Sequence, residues 1–167
     1  ISALITKAKA CGAPAVAITD HGNLFGAIEF YQEAEANGLK PIIGCEVYMA
    51  PGSRLDKDAA SARDASHHFL LLAQDEFGYR NLLELVSEAY LTGFYYKPRI
   101  DRDLLAKHHR GLIATSACLK GEVASQILGN RPEKASEFID FCKDLFGDRF
   151  YLDVQNHGIA AQARVNR

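Results

Sequence analysis

The sequence lacks both a long apolar run and an excess of positive charge. Its apolar runs, such as Phe69–Ala73, are only a few residues long, whereas a transmembrane helix needs about 20 apolar residues. We therefore expect no membrane span and no membrane partner. The chain has 19 Lys and Arg residues against 21 Asp and Glu residues, a net charge of −2. Domains that bind nucleic acid through their overall charge are basic, so any contact with nucleic acid must be local.

Several motifs that identify common functions are also missing. The sequence has no glycine-rich phosphate loop, no dinucleotide-binding fingerprint, no G-x-S-x-G elbow, and no helix-turn-helix or zinc-finger spacing. Its four cysteines never occur at C-x-x-C spacing, and a chain of this size does not need disulfides for stability. The cysteines therefore predict reduced thiols and a cytoplasmic protein.

The composition is that of a globular domain. Hydrophobic residues make up 48% of the 167 residues, which is enough for a core and too many for a disordered chain. The length corresponds to about one domain, and neither an internal repeat nor a domain boundary is visible. The chain begins at Ile1 in a helical pattern and stops at Arg167 without a closing element. We therefore expect residues 1–167 to form one partial domain of a longer protein.

Short apolar runs separated by helical patterns predict an α/β fold. The predicted strands are Ala15–Ile18, Pro41–Tyr48, Phe69–Ala73, Leu112–Thr115 and Phe150–Val154. Each is apolar throughout rather than alternating, which is typical of a parallel sheet covered on both faces. The helical patterns between them predict right-handed βαβ units.

Helical spacing of apolar residues marks the segments between the strands. It predicts helices over residues 24–34, 77–90 and 135–146, a further helix at the start of the chain, and a short helix that ends near His108. The stretch Ala50–Ser66 is rich in charge, proline and glycine, and we expect an exposed loop there.

Two polar residues follow the first predicted strand. Ligand and catalytic groups collect just beyond the carboxyl ends of strands in parallel α/β folds, and Asp20 and His21 occupy that position. They are candidates for a metal ligand and a carboxylate that orients it. The alternative is that Asp20 caps the next helix and His21 is an exposed turn residue.

Three further candidates lie in or beside later strands. Glu46 interrupts an apolar strand, where a carboxylate needs a partner such as a metal or an arginine. His67 and His68 are adjacent in a strand, so only one of them can reach a shared site. They precede the predicted strand, which means either that the strand begins earlier or that its direction differs. Cys118 follows the strand Leu112–Thr115, although a lone cysteine is more often a small buried hydrophobe.

These candidates together predict a metal site. It would be formed by His21, Glu46, His68 and Cys118. Imidazole, carboxylate and thiolate groups are ligands of zinc, and the first two also suit manganese or iron. Such a site could activate water and hold a phosphate. Near it in sequence, Lys97, Arg99 and Arg102 form a local positive surplus, which predicts either a DNA-backbone contact or a solvated surface.

Five segments of the sequence, in order, resemble the polymerase-and-histidinol-phosphatase (PHP) domain. They are Ala17–Ala27, Gly38–Glu46, His68–Ala73, Ser116–Cys118 and Tyr151–Gly158. The resemblance spans nearly the whole chain and is strongest for the form of this domain at the N-terminus of bacterial DNA polymerase III alpha subunits. It implies a distorted seven-stranded (β/α) barrel with up to three divalent metal ions, such as Zn, Mn or Mg, at one mouth.

The resemblance also implies roles for individual residues. The metal ligands would be His21, Glu46, His68 and Cys118, with Glu46 bridging two ions. Outer positions around the ligands would be occupied by Asp20, Asp153 and His157. The opening H-x-H block of the family would precede Ile1 and the closing D-x-H block would follow Arg167. We therefore expect the fragment alone to be inactive.

The function implied by the resemblance is that of a replicative polymerase fragment. The complete protein would be a DNA-directed DNA polymerase that binds primer-template DNA, the sliding clamp, and proofreading and other replisome subunits. This segment would be a metal-dependent phosphoesterase of the 3′–5′ exonuclease type or its structural remnant. Two alternatives stay open: a stand-alone phosphoesterase of the histidinol-phosphatase type, and a non-catalytic module that binds replisome partners.

Overall fold

The fold was analysed in a computed structural model, which describes residues 1–57 and 66–167. Within these ranges, six strands form one sheet. They are β1 (Ala15–His21), β2 (Lys40–Met49), β3 (His67–Ala73), β4 (Arg99–Ile100), β5 (Leu112–Thr115) and β6 (Phe150–Tyr151). Residues 58–65 of the predicted exposed loop lie outside the described residues.

Seven α-helices are present in the same ranges. They are α1 (Ser2–Ala10), α2 (Ala27–Ala36), α3 (Glu76–Leu91), α4 (Arg102–Lys107), α5 (Glu122–Leu128), α6 (Pro132–Phe146) and α7 (Ala160–Val165). Local chemistry explains several helix starts. The Asp75 carboxylate accepts a hydrogen bond from the Gly78 N–H and caps α3, and Asp101 caps α4 in the same way through Leu104. Pro132 opens α6, where its missing N–H costs nothing.

The sheet is mixed, so the α/β class is confirmed and the prediction of a parallel sheet is wrong. The strand order is β1-β2-β3-β5-β6, with β4 paired to β2. β1 and β2 are parallel, as are β5 and β6, but β3 runs antiparallel to both of its neighbours. The error has a physical cause, because an uninterrupted apolar run reports that both faces of a strand are buried and not which way it runs.

Several predicted boundaries also shift. β1 extends to His21 and β3 begins at His67, so both strands reach further toward the candidate residues than expected. β6 ends at Tyr151 rather than at Val154. The helices α5 and α7 and the short strand β4 were not predicted, since each is too short for a clear apolar period.

The helices pack against the sheet through two apolar clusters. A small cluster joins α1 and α2 to β1 and β2 through Ile5, Phe30, Ala34 and Leu39. A larger cluster lies under α3, α4, α5 and α6; its fully buried members include Phe69, Leu71, Leu82, Leu85, Leu105, Phe138 and Phe146. Ile43 of β2 contacts both clusters, so the helices cover the face of the sheet opposite to that of His21 and Glu46. This packing makes the sheet a rigid support for side chains on its other face. Across the described ranges, every helix falls short of the length and apolarity needed to cross a bilayer.

Candidate metal centre

Strand register places four candidate side chains on one face of the sheet. His21 of β1 lies opposite Glu46 of β2, and Tyr48 of β2 lies opposite His68 of β3. Glu46 and Tyr48 are two residues apart in one strand and therefore point to the same face. The pairing alone thus brings His21, Glu46, Tyr48 and His68 together.

The antiparallel direction of β3 explains how His68 reaches this place. β1 and β2 approach the site with their carboxyl ends, whereas β3 begins there. Both alternatives considered for the two histidines hold, because the strand starts earlier than expected and runs in the opposite direction. His68 contacts Glu46, while His67 is influenced by the charges of Glu122, Arg131 and Arg102. The two imidazole rings therefore interact with different charged side chains.

The donor atoms of three residues converge. One ligand atom from each of His21, Glu46 and His68 lies within 4.8 Å of the others. Oε1 of Glu46 lies 3.7 Å from Nδ1 of His21 and makes a short contact with Nδ1 of His68. His68 is buried, with 7% of its surface exposed, whereas His21 is open to solvent. The group is therefore buried at His68 and open to solvent at His21.

Cys118 joins this group from the loop between β5 and α5. Its Sγ lies 3.6 Å from Nδ1 of His68, although it is outside the set whose ligand atoms are all within 4.8 Å. The loop is held against β3 by the His68 N–H, which donates to the Lys120 carbonyl. It also needs Gly121, where a Cβ would lie 2.1 Å from the Ser116 carbonyl oxygen. We call His21, Glu46, His68 and Cys118 the His68 cluster.

Burial controls the charge state of His68. Loss of hydration lowers the pKa of His68 even though the adjacent Glu46 carboxylate acts in the opposite direction. The imidazole is therefore mostly neutral near pH 7, and the neutral ring is the form that binds a metal. His68 is thus ready to act as a ligand without first losing a proton.

Tyr48 is a site residue that the sequence analysis missed. Its ring centroid lies 6.2 Å from that of His21 and 5.3 Å from that of His68, and Nζ of Lys97 lies 4.5 Å from its centroid. Burial, followed by the nearby Glu46 charge, raises the pKa of Tyr48. Its spacing of two residues from Glu46 in a strand was the signal that could have revealed it.

The residues expected at outer positions each lie beside groups other than His21, Glu46 and His68. Asp20 precedes His21 in β1 and so points to the opposite face, where its Oδ2 lies beside Gly26. It is also not a helix cap, since Gly26 precedes α2. Asp153 accepts a hydrogen bond from the Thr115 hydroxyl and, with Cys118, lines a separate cavity of about 230 Å³.

His157 contacts Gln162 rather than a member of the His68 cluster. Its side chain is exposed, and its Nδ1 lies 2.9 Å from Nε2 of Gln162 in α7. The Gln162 side chain also accepts a hydrogen bond from the His157 N–H. These contacts hold the chain between β6 and α7 and do not orient a member of the His68 cluster.

Of the three basic residues proposed to contact DNA, two have other partners. Arg99 is only 2% exposed and donates to the carbonyl oxygens of Gly93, Arg54 and Asp56. That expectation is wrong, because a buried guanidinium with these partners cannot reach a phosphate. Arg102 pairs with Glu122 at 2.6 Å. Lys97 alone of the three lies beside the His68 cluster.

The chemistry of the donors fits a divalent metal. Two imidazoles, one carboxylate and one thiol are the groups that bind zinc, and imidazole with carboxylate also suits manganese. Magnesium prefers oxygen ligands and fits this set less well. The described residues therefore include a possible His/Glu metal site with a cysteine next to it.

Comparison with known proteins bears on the family of this chain. The family model of the PHP domain matches residues 1–157. DNA polymerase III subunit alpha of Borreliella burgdorferi is 53% identical over 166 residues, which cover 99% of this chain and 14% of that protein. The same subunit of Thermus aquaticus is 51% identical over 155 residues, covering 92% of this chain and 13% of that protein.

A third relative gives the same result. The subunit alpha of Aquifex aeolicus is 46% identical over 172 aligned residues, covering 100% of this chain and 15% of that protein. The chain thus spans about 14% of the length of the relatives that it matches. Since the family model covers nearly all of the sequence, the chain belongs to the PHP domain family.

Proposed function

We propose that this chain is the PHP domain of a DNA polymerase III alpha subunit and that its His68 cluster binds divalent metal ions for the hydrolysis of phosphodiesters. The observation that carries the proposal is the convergence of ligand atoms from His21, Glu46 and His68 within 4.8 Å. Reaction at the 3′ end of a DNA strand, as in a 3′–5′ exonuclease, is the activity most consistent with a polymerase.

Each residue of the His68 cluster has a different role in the proposed metal binding. Glu46 lies between the two imidazoles and supplies the negative charge that offsets the charge of a cation. His68 presents a neutral nitrogen from a buried position, and Cys118 places a soft ligand beside it. A divalent ion held there supplies Lewis acidity toward a phosphoryl oxygen. His21, the exposed member, stands on the side from which a substrate enters.

A complete site requires more ligands than this chain provides. We propose that the six described strands belong to a seven-stranded (β/α) barrel, and that further ligands come from segments before Ile1 and after Arg167. A partial ligand set loses geometry as well as charge. Residues 1–167 alone are then expected to bind metal weakly and to lack nuclease activity.

The complete protein is proposed to act as a DNA-directed DNA polymerase in the cytoplasm. Its partners would be primer-template DNA, the sliding clamp and other replisome subunits, including a proofreading subunit. A stand-alone phosphoesterase is less consistent with the comparisons, because the relatives described above, at 46–53% identity, are all DNA polymerase III alpha subunits.

A non-catalytic role is the second candidate. The His68 cluster is held together by protein contacts: the Glu46 carboxylate contacts His68, and the Tyr48 ring packs against the rings of His21 and His68. Contacts of this kind could stabilise the domain without any metal. In that case the domain would serve to hold the polymerase and its partners together.

Substitution of Glu46 distinguishes these two functions. In the complete natural protein, we expect Glu46→Ala to lose bound metal and 3′-end removal, while primer extension continues at a separate site. Metal content, removal of a labelled 3′ nucleotide and primer extension are measured in parallel. Glu84→Ala, an exposed carboxylate on α3, is the control and should behave like the wild type.

The same assays can contradict the proposal. If Glu46→Ala retains the metal content and the chelator sensitivity of the wild type, Glu46 is not a ligand and the non-catalytic role is favoured. A native-state ligand also stabilises the fold. We therefore expect added metal to raise the melting temperature less in Glu46→Ala than in the wild type.

A further inference from the structure

A lysine beside the His68 cluster has no counter-ion among residues 1–57 and 66–167. Lys97 lies between α3 and β4, and none of the ion pairs in the described ranges includes it. Its ammonium group lies instead over the ring of Tyr48, 4.5 Å from the centroid. A cation over an aromatic face is held by the negative potential of the ring. Lys97 is therefore held in place without a carboxylate partner among the residues that the structure describes.

The backbone fixes Lys97 in this position. A Cβ at Gly22 would lie 2.9 Å from Cγ of Pro98 and 3.0 Å from Cε2 of Tyr48, so the segment after Lys97 packs directly on the turn that follows His21. Gly22 has φ +67, which few other residues adopt without strain. The close packing holds Lys97 near the end of β1 rather than on a free surface loop.

The cavity next to Lys97 carries positive charge. It has a volume of about 250 Å³ and is lined by Ser66, His67, His68, Lys97, Leu119, Lys120 and Ser125. Of the described residues, two lysines and no carboxylate line it, and one of the proposed metal ligands, His68, forms part of its wall. Such a cavity attracts anions toward the cluster.

We propose that Lys97, supported by Tyr48, binds the phosphoryl group of the phosphate ester that the metal site hydrolyses. The inference rests on the proposed function and extends it to the recognition of the substrate. A lysine ammonium binds phosphate oxygens as a compact point charge. Arg99 and Arg102 already have other partners. Lys97 is therefore the cation of this stretch that can meet an anion at the cluster.

Binding of inorganic phosphate tests this inference without measuring catalysis. The complete natural protein is saturated with Mn²⁺ and titrated calorimetrically with phosphate; Glu46→Ala, treated identically, reports phosphate bound elsewhere. We expect Lys97→Gln to weaken the Glu46-dependent binding by about tenfold or more, with unchanged Mn²⁺ content. Lys97→Arg should retain most of the affinity. Lys134→Gln, an exposed lysine on α6, should match the wild type.

Variants of Tyr48 test its support of Lys97. Tyr48→Phe keeps the aromatic face and should keep the phosphate affinity, whereas Tyr48→Leu removes the face and should weaken binding by about two- to fivefold. Equal affinities of the two variants would show that the ring does not hold the ammonium group.

The outcomes separate this inference from the proposed function. Unchanged phosphate affinity in Lys97→Gln at full Mn²⁺ content would overturn the inference and leave the metal site intact. Loss of Mn²⁺ in Lys97→Gln would also overturn it, because Lys97 would then support the cluster rather than the anion. If Glu46→Ala binds as much Mn²⁺ and phosphate as the wild type, the proposed function fails and this inference fails with it.

Discussion

Two groups of charged side chains in this domain differ in how their polar atoms are satisfied. The first, the Arg54 network, consists of Arg54, Arg99 and Asp101. The Asp101 carboxylate accepts hydrogen bonds from the Arg54 backbone and guanidinium and from the Leu104 N–H. Arg99 in turn donates to the Arg54 carbonyl. Because these donors and acceptors bond to one another inside the protein, the network has few free polar atoms with which to bind a ligand.

The His68 cluster is organised differently. Its members all carry groups that can bind a metal ion, and they come from separate elements. The ligand atoms of His21, Glu46 and His68 converge, and Cys118 lies next to them. It also opens to solvent through His21, whereas Arg99 and Asp101 are buried. The comparison teaches that a buried network closed on itself holds the fold, while a converging set of ligands on an open side is suited to binding. The following predictions test that difference.

The largest effect is expected on removing the carboxylate of the Arg54 network. Asp101→Ala leaves the Arg54 guanidinium without its partner and α4 without its N-cap. Breaking a buried ion pair costs about 3–5 kcal/mol, so the local free energy of unfolding around β4 and α4 should fall by about that amount. Hydrogen exchange of peptides from these elements in the complete protein measures it.

Asp103→Ala provides the matched control for this change. Asp103 is exposed in the first turn of the same helix, where a carboxylate contributes about 0.3–1 kcal/mol through the helix dipole. A loss of the same size in both variants would mean that the buried pair is not what stabilises this region. Metal content should stay at the wild-type level in folded protein of either variant.

A medium effect is expected from the two adjacent histidines. His68→Ala removes a member of the cluster and should weaken metal binding by on the order of 100-fold, while His67→Ala should leave it nearly unchanged. The two residues are adjacent in β3, so an effect of either substitution on the local fold should be similar and largely cancels when the two metal affinities are compared. Titration with Zn²⁺ or Mn²⁺ in the complete protein gives both affinities. Equal losses of metal affinity in the two variants would show that His68 is not a ligand in preference to His67.

A smaller effect is expected at Cys118, which lies outside the closest set of ligand atoms. Cys118→Ser replaces a soft ligand by a hard one and should reduce zinc affinity by about tenfold, with less effect on manganese. The ratio of the two affinities is the quantity to measure. An unchanged ratio would remove Cys118 from the ligand set and leave it as a packing residue.

The pH dependence of stability should report on the Arg54 network. Burial acts to raise the pKa of Asp101, but hydrogen bonds from Arg54 and Leu104 outweigh it and hold the pKa below its usual value. A carboxyl whose pKa is depressed by folding stabilises the protein above its unfolded pKa of about 3.9, and this stabilisation is lost as the pH falls through the folded pKa. The exchange protection of α4 should therefore decrease in acid more in the wild type than in Asp101→Ala. Parallel pH profiles of the two proteins would contradict this assignment.

Much of the fold and part of the site could be predicted from sequence. The helix over Glu76–Leu91 and the strand Leu112–Thr115 have clear apolar patterns and clear ends, and their predicted bounds are close to those observed. His21, Glu46 and Cys118 could be chosen because each lies in or after an apolar strand. The choice of His68 over His67 rested on its place in the series of strand regions together with the family resemblance, since local pattern alone does not distinguish two adjacent strand residues.

Other assignments failed because they depend on contacts between distant segments. Arg99 looks like a surface cation in sequence, yet the loop after β2 buries it through the carbonyls of Arg54 and Asp56. Asp20 stands next to His21 in sequence, but adjacent strand residues point to opposite faces. Tyr48 was overlooked because its importance comes from its position opposite His68.

The sequence by itself determined the α/β class, the family and most of the candidate ligands, because periodicity and short motifs are local properties of the chain. The direction of β3 was decided only in the tertiary structure, since the burial of a strand on both faces is the same whichever way it runs. That direction places His68 at the ends of β1 and β2 beside His21 and Glu46. The His68 cluster therefore depends on strand pairing, which brings together residues that are far apart in the chain.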